Sequence, residues 1–288
     1  MQHTSEYNAA LPKYLERLPC AKHAWPDVVS VIESARTSIH NMMSSQSTFV
    51  ELEMRFGRRM QGFEPGISEQ AFVALEKRFD SGREWVKKID WHNINVFFHS
   101  SSLAGDRRKL RTEVTFLPSG SEETKRVEST HKELVCNHDY RTVPLSVLDR
   151  DPVDIRIALN VERAVSAIDV PDTVEPTAVH LKTRKCYYYA PTGYDAPVWC
   201  YVLTKRWTGS TLQDAKIAQA NILPVYEMEI ECLCPAYLTS LDPGHVAAKM
   251  LFKACDVLDI MVPELSDRAS YIIEPTRNNM LWSRSKHI

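Results

Sequence analysis

Two stretches of the chain space carboxylates as a hard cation would require. In Val50-Glu51-Leu52-Glu53-Met54-Arg55-Phe56-Gly57, an extended strand sends successive side chains to opposite faces. Glu51, Glu53 and Arg55 then share one face, and Val50, Leu52, Met54 and Phe56 the other. Same-face neighbours lie roughly 6.5–7 Å apart, within reach of one cation. Tyr226-Glu227-Met228-Glu229-Ile230-Glu231 repeats the design with glutamates at alternate positions. Like charges stacked along a strand are costly unless something positive lies between them. Either stretch alone reads as an edge strand with a wet face. The two together, interleaved with basic strands of the same period, require a cation. Glutamates from opposite walls suit Mg²⁺ or Mn²⁺, hard ions that accept carboxylate, water and phosphate oxygen.

The elements that position these residues follow from periodicity. The run from Asp27 has helical spacing at Val28, Val31, Ile32, Ala35, Ile39 and Met42, with Asp27 as N-cap and Pro26 just outside. Ser68 caps a second helix through Phe79. Strands are expected over Val50–Phe56, Trp85–Ile89, Ile94–His99, Lys109–Phe116, Arg126–Cys136, Val153–Ile168, Val179–Tyr189 and Val198–Trp207. Lys109, Arg111, Glu113 and Thr115 share one face. So do Asp154, Arg156, Ala158, Asn160 and Glu162, and likewise His180, Lys182, Arg184 and Cys186. Ser210-Thr211-Leu212-Gln213 opens a helix to about Ile222, and Asp242-Pro243 another. One charged and one apolar face on successive strands fits an open sheet with a wet face. It also fits an α+β fold built on a closed antiparallel eight-stranded β-barrel, charges inside and helices packed outside. The second is the expectation, with a polyphosphate and a divalent cation as the guest. It occupies residues 27–265, between a lead-in at 1–26 and a tail at 266–288.

At 288 residues and 44% hydrophobic content the chain supports a packed core. A net charge of −2 argues against a broad basic surface for long nucleic acid. No G-x-x-x-x-G-K or G-x-G-x-x-G loop occurs among the nine glycines, so side chains must hold any phosphate. Seven scattered cysteines without a C-x-x-C pair, no signal-peptide pattern and no bilayer-length apolar run read as a soluble protein of a reducing, intracellular compartment.

E-L-E-M-R-F-G paired with Y-E-M-E-I-E resembles the first and last signature strands of the metal-dependent RNA triphosphatases of mRNA capping, the fungal, protozoan and viral type within the triphosphate tunnel metalloenzymes. The resemblance covers roughly Val50 to Glu231. It implies Glu51, Glu53 and Glu231 as ligands of Mg²⁺ or Mn²⁺. Glu229 would orient or help deprotonate the attacking water. Glu227 faces the same cavity, as a catalytic group or as the anchor of a basic neighbour, and D-I-R-I-A-L-N-V-E-R contributes an inward Glu162. Arg55, Arg111, Lys132, Lys182 and Arg184 would hold the triphosphate. The family's R-x-D-x-T strand reads Cys200-Tyr201-Val202-Leu203-Thr204 here. Only the threonine survives, and Arg206 is expected to reach in as compensation. The implied substrate is the 5′-triphosphate end of RNA, with guanylyl transfer on a separate polypeptide and no membrane partner. The implied place is the nucleus if the protein is cellular, otherwise a viral or cytoplasmic capping site.

Four other readings stand beside this one. The same tunnel serves inorganic triphosphate or nucleoside triphosphates, and a non-catalytic module would only bind RNA 5′ ends or polyphosphate. Cys200 and Arg206 have the C-x₅-R spacing of cysteine-dependent phosphatases, but strand formers without glycine lie between them. Lys88-Ile89-Asp90-Trp91 approaches the K-x-D-G of nucleotidyl transferases, with Trp91 at the glycine.

Overall fold

The computed structural model describes residues 18–42, 48–99, 109–116, 126–144, 153–165, 177–263 and 271–276. Its strands are β1 (Thr48–Arg59), β2 (Phe63–Pro65), β3 (Lys87–His99), β4 (Lys109–Phe116), β5 (Arg126–Pro144), β6 (Asp154–Val165), β7 (Ala178–Tyr189), β8 (Trp199–Gly209), β9 (Val225–Cys232) and β10 (Tyr271–Pro275). Its helices are α1 (Trp25–Met42), α2 (Glu69–Ser81), α3 (Leu212–Asn221), α4 (Pro235–Ser240) and α5 (Pro243–Met261). All strands belong to one antiparallel sheet. From β1 the pairings pass to β6, β5, β4, β3, β7, β8 and β9, and β9 pairs with β1 again. Short β2 folds back on the end of β1, and β10 adds to the end of β5. Between Leu134 and Cys136 the register of β5 against β6 shifts by a bulge.

Alternation along these strands separates two environments. Leu52, Met54 and Phe56 of β1 are fully buried in one hydrophobic core with Ile155, Ile157 and Leu159 of β6, Leu203 of β8, and Met228 and Ile230 of β9. Helices α1, α2 and α5 supply the other side of that core through Val28, Val31, Ile32, Phe72, Leu75, Met250, Leu251 and Leu258. The apolar faces of the strands are therefore the helix-covered ones. Trp25 of α1 locks onto α5: its indole Nε1 donates to the Gly244 carbonyl at 3.2 Å, and a Cβ on Gly244 would meet the ring at 2.7 Å. No described helix is long and apolar enough to cross a membrane.

Several elements differ from the sequence reading. Trp85–Ile89 and Ile94–His99 are not two strands; Lys87–His99 is continuous, because β7 pairs along its length from Lys87 to Phe97. Helix α1 begins at Trp25, with Pro26 inside its first turn where the missing N–H costs nothing. The cap of α3 is Thr211, boxed with Asp214, rather than Ser210 with Gln213. Ordered packing also extends past both expected boundaries. Leu18, Cys20 and Ala21 are buried ahead of residue 27, and β10 lies beyond 265 with Tyr271 and Ile273 in the core.

Phe79 of α2 joins helix to sheet through ring contacts with Trp85 at 5.1 Å, Tyr187 at 5.2 Å and Tyr201 at 5.6 Å. Asp80 accepts from the Tyr187 hydroxyl at 2.8 Å beside it. Removing the Phe79 ring leaves a cavity inside this cluster. Phe79→Ala is expected to destabilise the fold by about 3–5 kcal/mol, read as a lower urea midpoint with an unchanged m-value.

Candidate metal and phosphate site

The face opposite the helices carries the charges. Register places Glu53 of β1 across from Glu231 of β9, and Arg55 across from Glu229. On the other side of β1, Glu51 opposes Asn160 and Arg55 opposes Arg156 of β6. Lys132 of β5 opposes Glu162. Lys182 and Arg184 of β7 oppose Arg206 and Thr204 of β8, and Thr204 opposes Glu227. Arg111 lies on β4 opposite Phe97 and Thr130, and its side chain is outside the described residues. With that exception, the residues singled out in the sequence meet on one face through contacts or shared electrostatics.

Lys132 is the centre of one half. Its ammonium is paired with Glu51 and lies 3.5 Å from Glu53 and 3.6 Å from Glu162. Burial pushes this lysine toward the neutral form, but Glu51 and Glu53 more than reverse that and raise its pKa. Asn160 donates from Nδ2 to Glu51 at 3.1 Å and to Glu53 at 2.9 Å. Sequence reasoning put Asn160 on the face without giving it a role; its place two residues from Glu162 was the available signal.

Arg55 is the centre of the other half. Its guanidinium lies 2.8 Å from Glu53 Oε2 and 2.9 Å from Glu229 Oε1. Burial alone would raise Glu229, yet Arg55, with Lys182, Arg184 and Lys132, holds it down at about 2. Arg206 reaches in from β8 and donates from Nε to Glu227 at 2.7 Å and from a terminal nitrogen to Thr208 at 2.8 Å. Glu227 is thus the anchor of a basic neighbour. Where the R-x-D positions would stand, Cys200 and Val202 pack with Cys186, Trp91 and Tyr188 in a small apolar cluster. The Cys200 thiol is driven far above its usual range by a hydrogen bond with Cys186 and by burial, and it shares a regular strand with Arg206. A thiolate nucleophile in a phosphate loop is excluded there.

Glu231 differs from its neighbours. It is surrounded by protein while keeping part of its surface accessible. Burial, then Glu229, Glu51 and Glu53, raise its carboxyl to about 8 against the opposing pull of Arg184. Burial and Glu51 likewise raise Glu53. Hard oxygen donors on facing strands, and a carboxyl pushed up by burial and by neighbouring carboxylates, fit a divalent cation. Among the described residues no three acidic, imidazole or thiol side chains are already gathered as a metal would hold them; Lys132 stands in the cationic place between Glu51 and Glu53.

A folded-state pKa of about 8 against an ordinary 4.5 means that the folded protein keeps the Glu231 proton where the unfolded chain releases it. That contribution to stability is complete below 4.5 and is lost as pH rises through 8. In EDTA, thermal stability is expected to fall across this window, and Glu231→Gln to flatten the fall.

No protein-family model matches the chain, and no curated protein sequence does. Solved structures do. The RNA triphosphatase Pct1 of S. pombe superimposes with a TM-score of 0.52 at 16% identity, over 82% of this chain and 92% of that one. Pct1 in complex with the Spt5 CTD gives 0.52 at 17% identity, over 82% and 93%. A mimivirus capping-enzyme triphosphatase gives 0.46 at 11% identity, over 81% and 97%. This chain has the fold of the S. pombe RNA triphosphatase.

Proposed function

We propose that the protein is a metal-dependent RNA 5′-triphosphatase that removes the γ-phosphate of a nascent transcript end in the first step of mRNA capping. The observation that carries the reading is the meeting of Glu51, Glu53, Glu229 and Glu231 with Arg55, Lys132, Lys182 and Arg184 on one enclosed face. A surface built only to bind anions has no use for that many carboxylates. The ring of strand pairings supports a closed eight-stranded barrel, with this face as the wall of a tunnel. The fold shared with an RNA triphosphatase agrees with it.

In this reading Glu51, Glu53 and Glu231 hold Mg²⁺ or Mn²⁺, the donor set suiting either. The bound ion supplies Lewis acidity toward phosphate oxygens. To join that set Glu231 would have to release its carboxyl proton to solvent. Lys132, with Lys182, Arg184 and Arg111, would hold the phosphates. These groups neutralise charge on the γ-phosphoryl as its bond to the β-phosphate oxygen breaks. Glu229, kept ionised by Arg55, orients the attacking water and is a weak proton acceptor. Glu162 keeps Lys132 in place, and Arg206 with Glu227 braces the wall. The products are a 5′-diphosphate end and inorganic phosphate, and guanylyl transfer falls to another module, in the nucleus or at a viral or cytoplasmic capping site.

Phosphate release from 5′-triphosphate RNA is the test. Release is expected with Mg²⁺ or Mn²⁺ and not in EDTA, and Glu51→Ala or Glu231→Ala should lower it by on the order of 10²-fold or more while circular dichroism is retained. Tripolyphosphate and ATP as competitors separate RNA processing from small-molecule hydrolysis. No release from any of the three with either metal would overturn the catalytic reading.

A further inference from the structure

Beyond the glutamates, the same face of β1 continues to a second built cluster that the proposed chemistry does not use. Arg156, opposite Arg55, is gripped by both carboxylate oxygens of Asp139, at 2.6 Å from Nε and 2.9 Å from a terminal nitrogen. Its guanidinium lies 4.6 Å from the ring centroid of Phe63 on β2. Phe63 opposes Arg59, so register puts it on the face that carries Glu53 and Arg55. Arg59 completes the frame: its backbone N–H donates to Asp154 at 2.7 Å, and its side chain is paired with Thr276 and lies 3.9 Å from Asp139. Every polar contact here fixes Arg156 and Arg59 in place. Neither Phe63 nor Arg156 is sealed off; Phe63 is half-buried and the Arg156 side chain is 25% exposed.

A flat guanidinium held against an aromatic ring forms two layers of a stack whose natural third layer is another planar π system. From Glu53 to Arg59 is six residues of strand, at most roughly 20 Å. That is the scale of an extended nucleoside triphosphate lying along β1. The geometry points to Phe63 and Arg156 as a stacking platform for the first nucleobase of the substrate, which makes them specificity residues for nucleoside 5′-triphosphate ends over bare tripolyphosphate. The inference rests on the triphosphatase reading for its substrate class. Its stacking chemistry is the same for an RNA end and a free nucleotide.

The experiment compares wild type, Phe63→Ala and Phe63→Trp with 5′-triphosphate RNA, ATP and tripolyphosphate, together with calorimetric binding of ATP and tripolyphosphate. Phe63→Ala is expected to raise KM for RNA or ATP by on the order of ten-fold, to leave kcat close to wild type and to leave tripolyphosphate hydrolysis unchanged. Phe63→Trp should restore KM. An effect on RNA alone or on both nucleotides identifies the source the platform serves, and either supports it. Equal effects on all three substrates, or none on any, overturn it. If wild type hydrolyses nothing, the catalytic reading fails separately. Binding then decides: selective loss of ATP affinity in Phe63→Ala supports the platform. Equal loss, no loss, or no ATP binding by wild type overturns it.

Discussion

Everything in this structure depends on cations standing between buried carboxylates. Glu51 and Glu53 follow each other on one face of β1, and Glu231 faces Glu53 across the β1–β9 pairing. Such a group would repel itself into water if Lys132 and Arg55 did not bridge it from β5 and from within β1. The arrangement remains incomplete, because burial and the neighbouring carboxylates still push the Glu231 carboxyl up to about 8. The fold therefore binds charge at an electrostatic cost, which a divalent ion and a polyanion would jointly relieve.

This constraint explains the position of the helices. Strands that turn charges toward one another must turn Leu52, Met54, Ile157 and Met228 the other way. Those side chains need a second layer, and α1, α2 and α5 provide it. The sheet thus has one helix-covered apolar face and one charged face. The helices are the outer half of the hydrophobic core. Where the charged face lacks ionic partners, at Cys186, Cys200 and Val202, it becomes apolar and packs on itself.

Much of this was legible in the sequence because it is local. A period of two assigns Glu51 and Glu53 to one face without knowledge of any partner, and the same holds for Lys182 with Arg184 and for Glu227, Glu229 and Glu231. Helix α5 was readable from Asp242-Pro243 and its apolar stripe. What escaped was non-local. Asn160 matters through Glu51 and Glu53, more than a hundred residues away. Strand β10 has no strong pattern of its own and exists because the end of β5 offers it a pairing edge. The unbroken β3 likewise takes its length from β7, since Asp90 and Asn93 are poor strand formers. The Phe63–Arg156 contact joins a hairpin arm to a strand some ninety positions on, which no alternation could reveal.

The bulge in β5 has a consequence for how the two ionic centres are joined. Before it, Lys132 is turned toward Glu51 and Glu162; after it, Asp139 is turned toward Arg156. Seven positions separate them, an odd number, and in an unbroken strand they would point to opposite faces. The extra residue between Leu134 and Cys136 changes the parity of the strand. One strand thus serves both centres in different phases. Loss or gain of a single residue at that point would turn one of them inside out while leaving the other intact, so the spacing of β5, as much as its residue types, ties the carboxylate cluster to the Phe63–Arg156 end of the face.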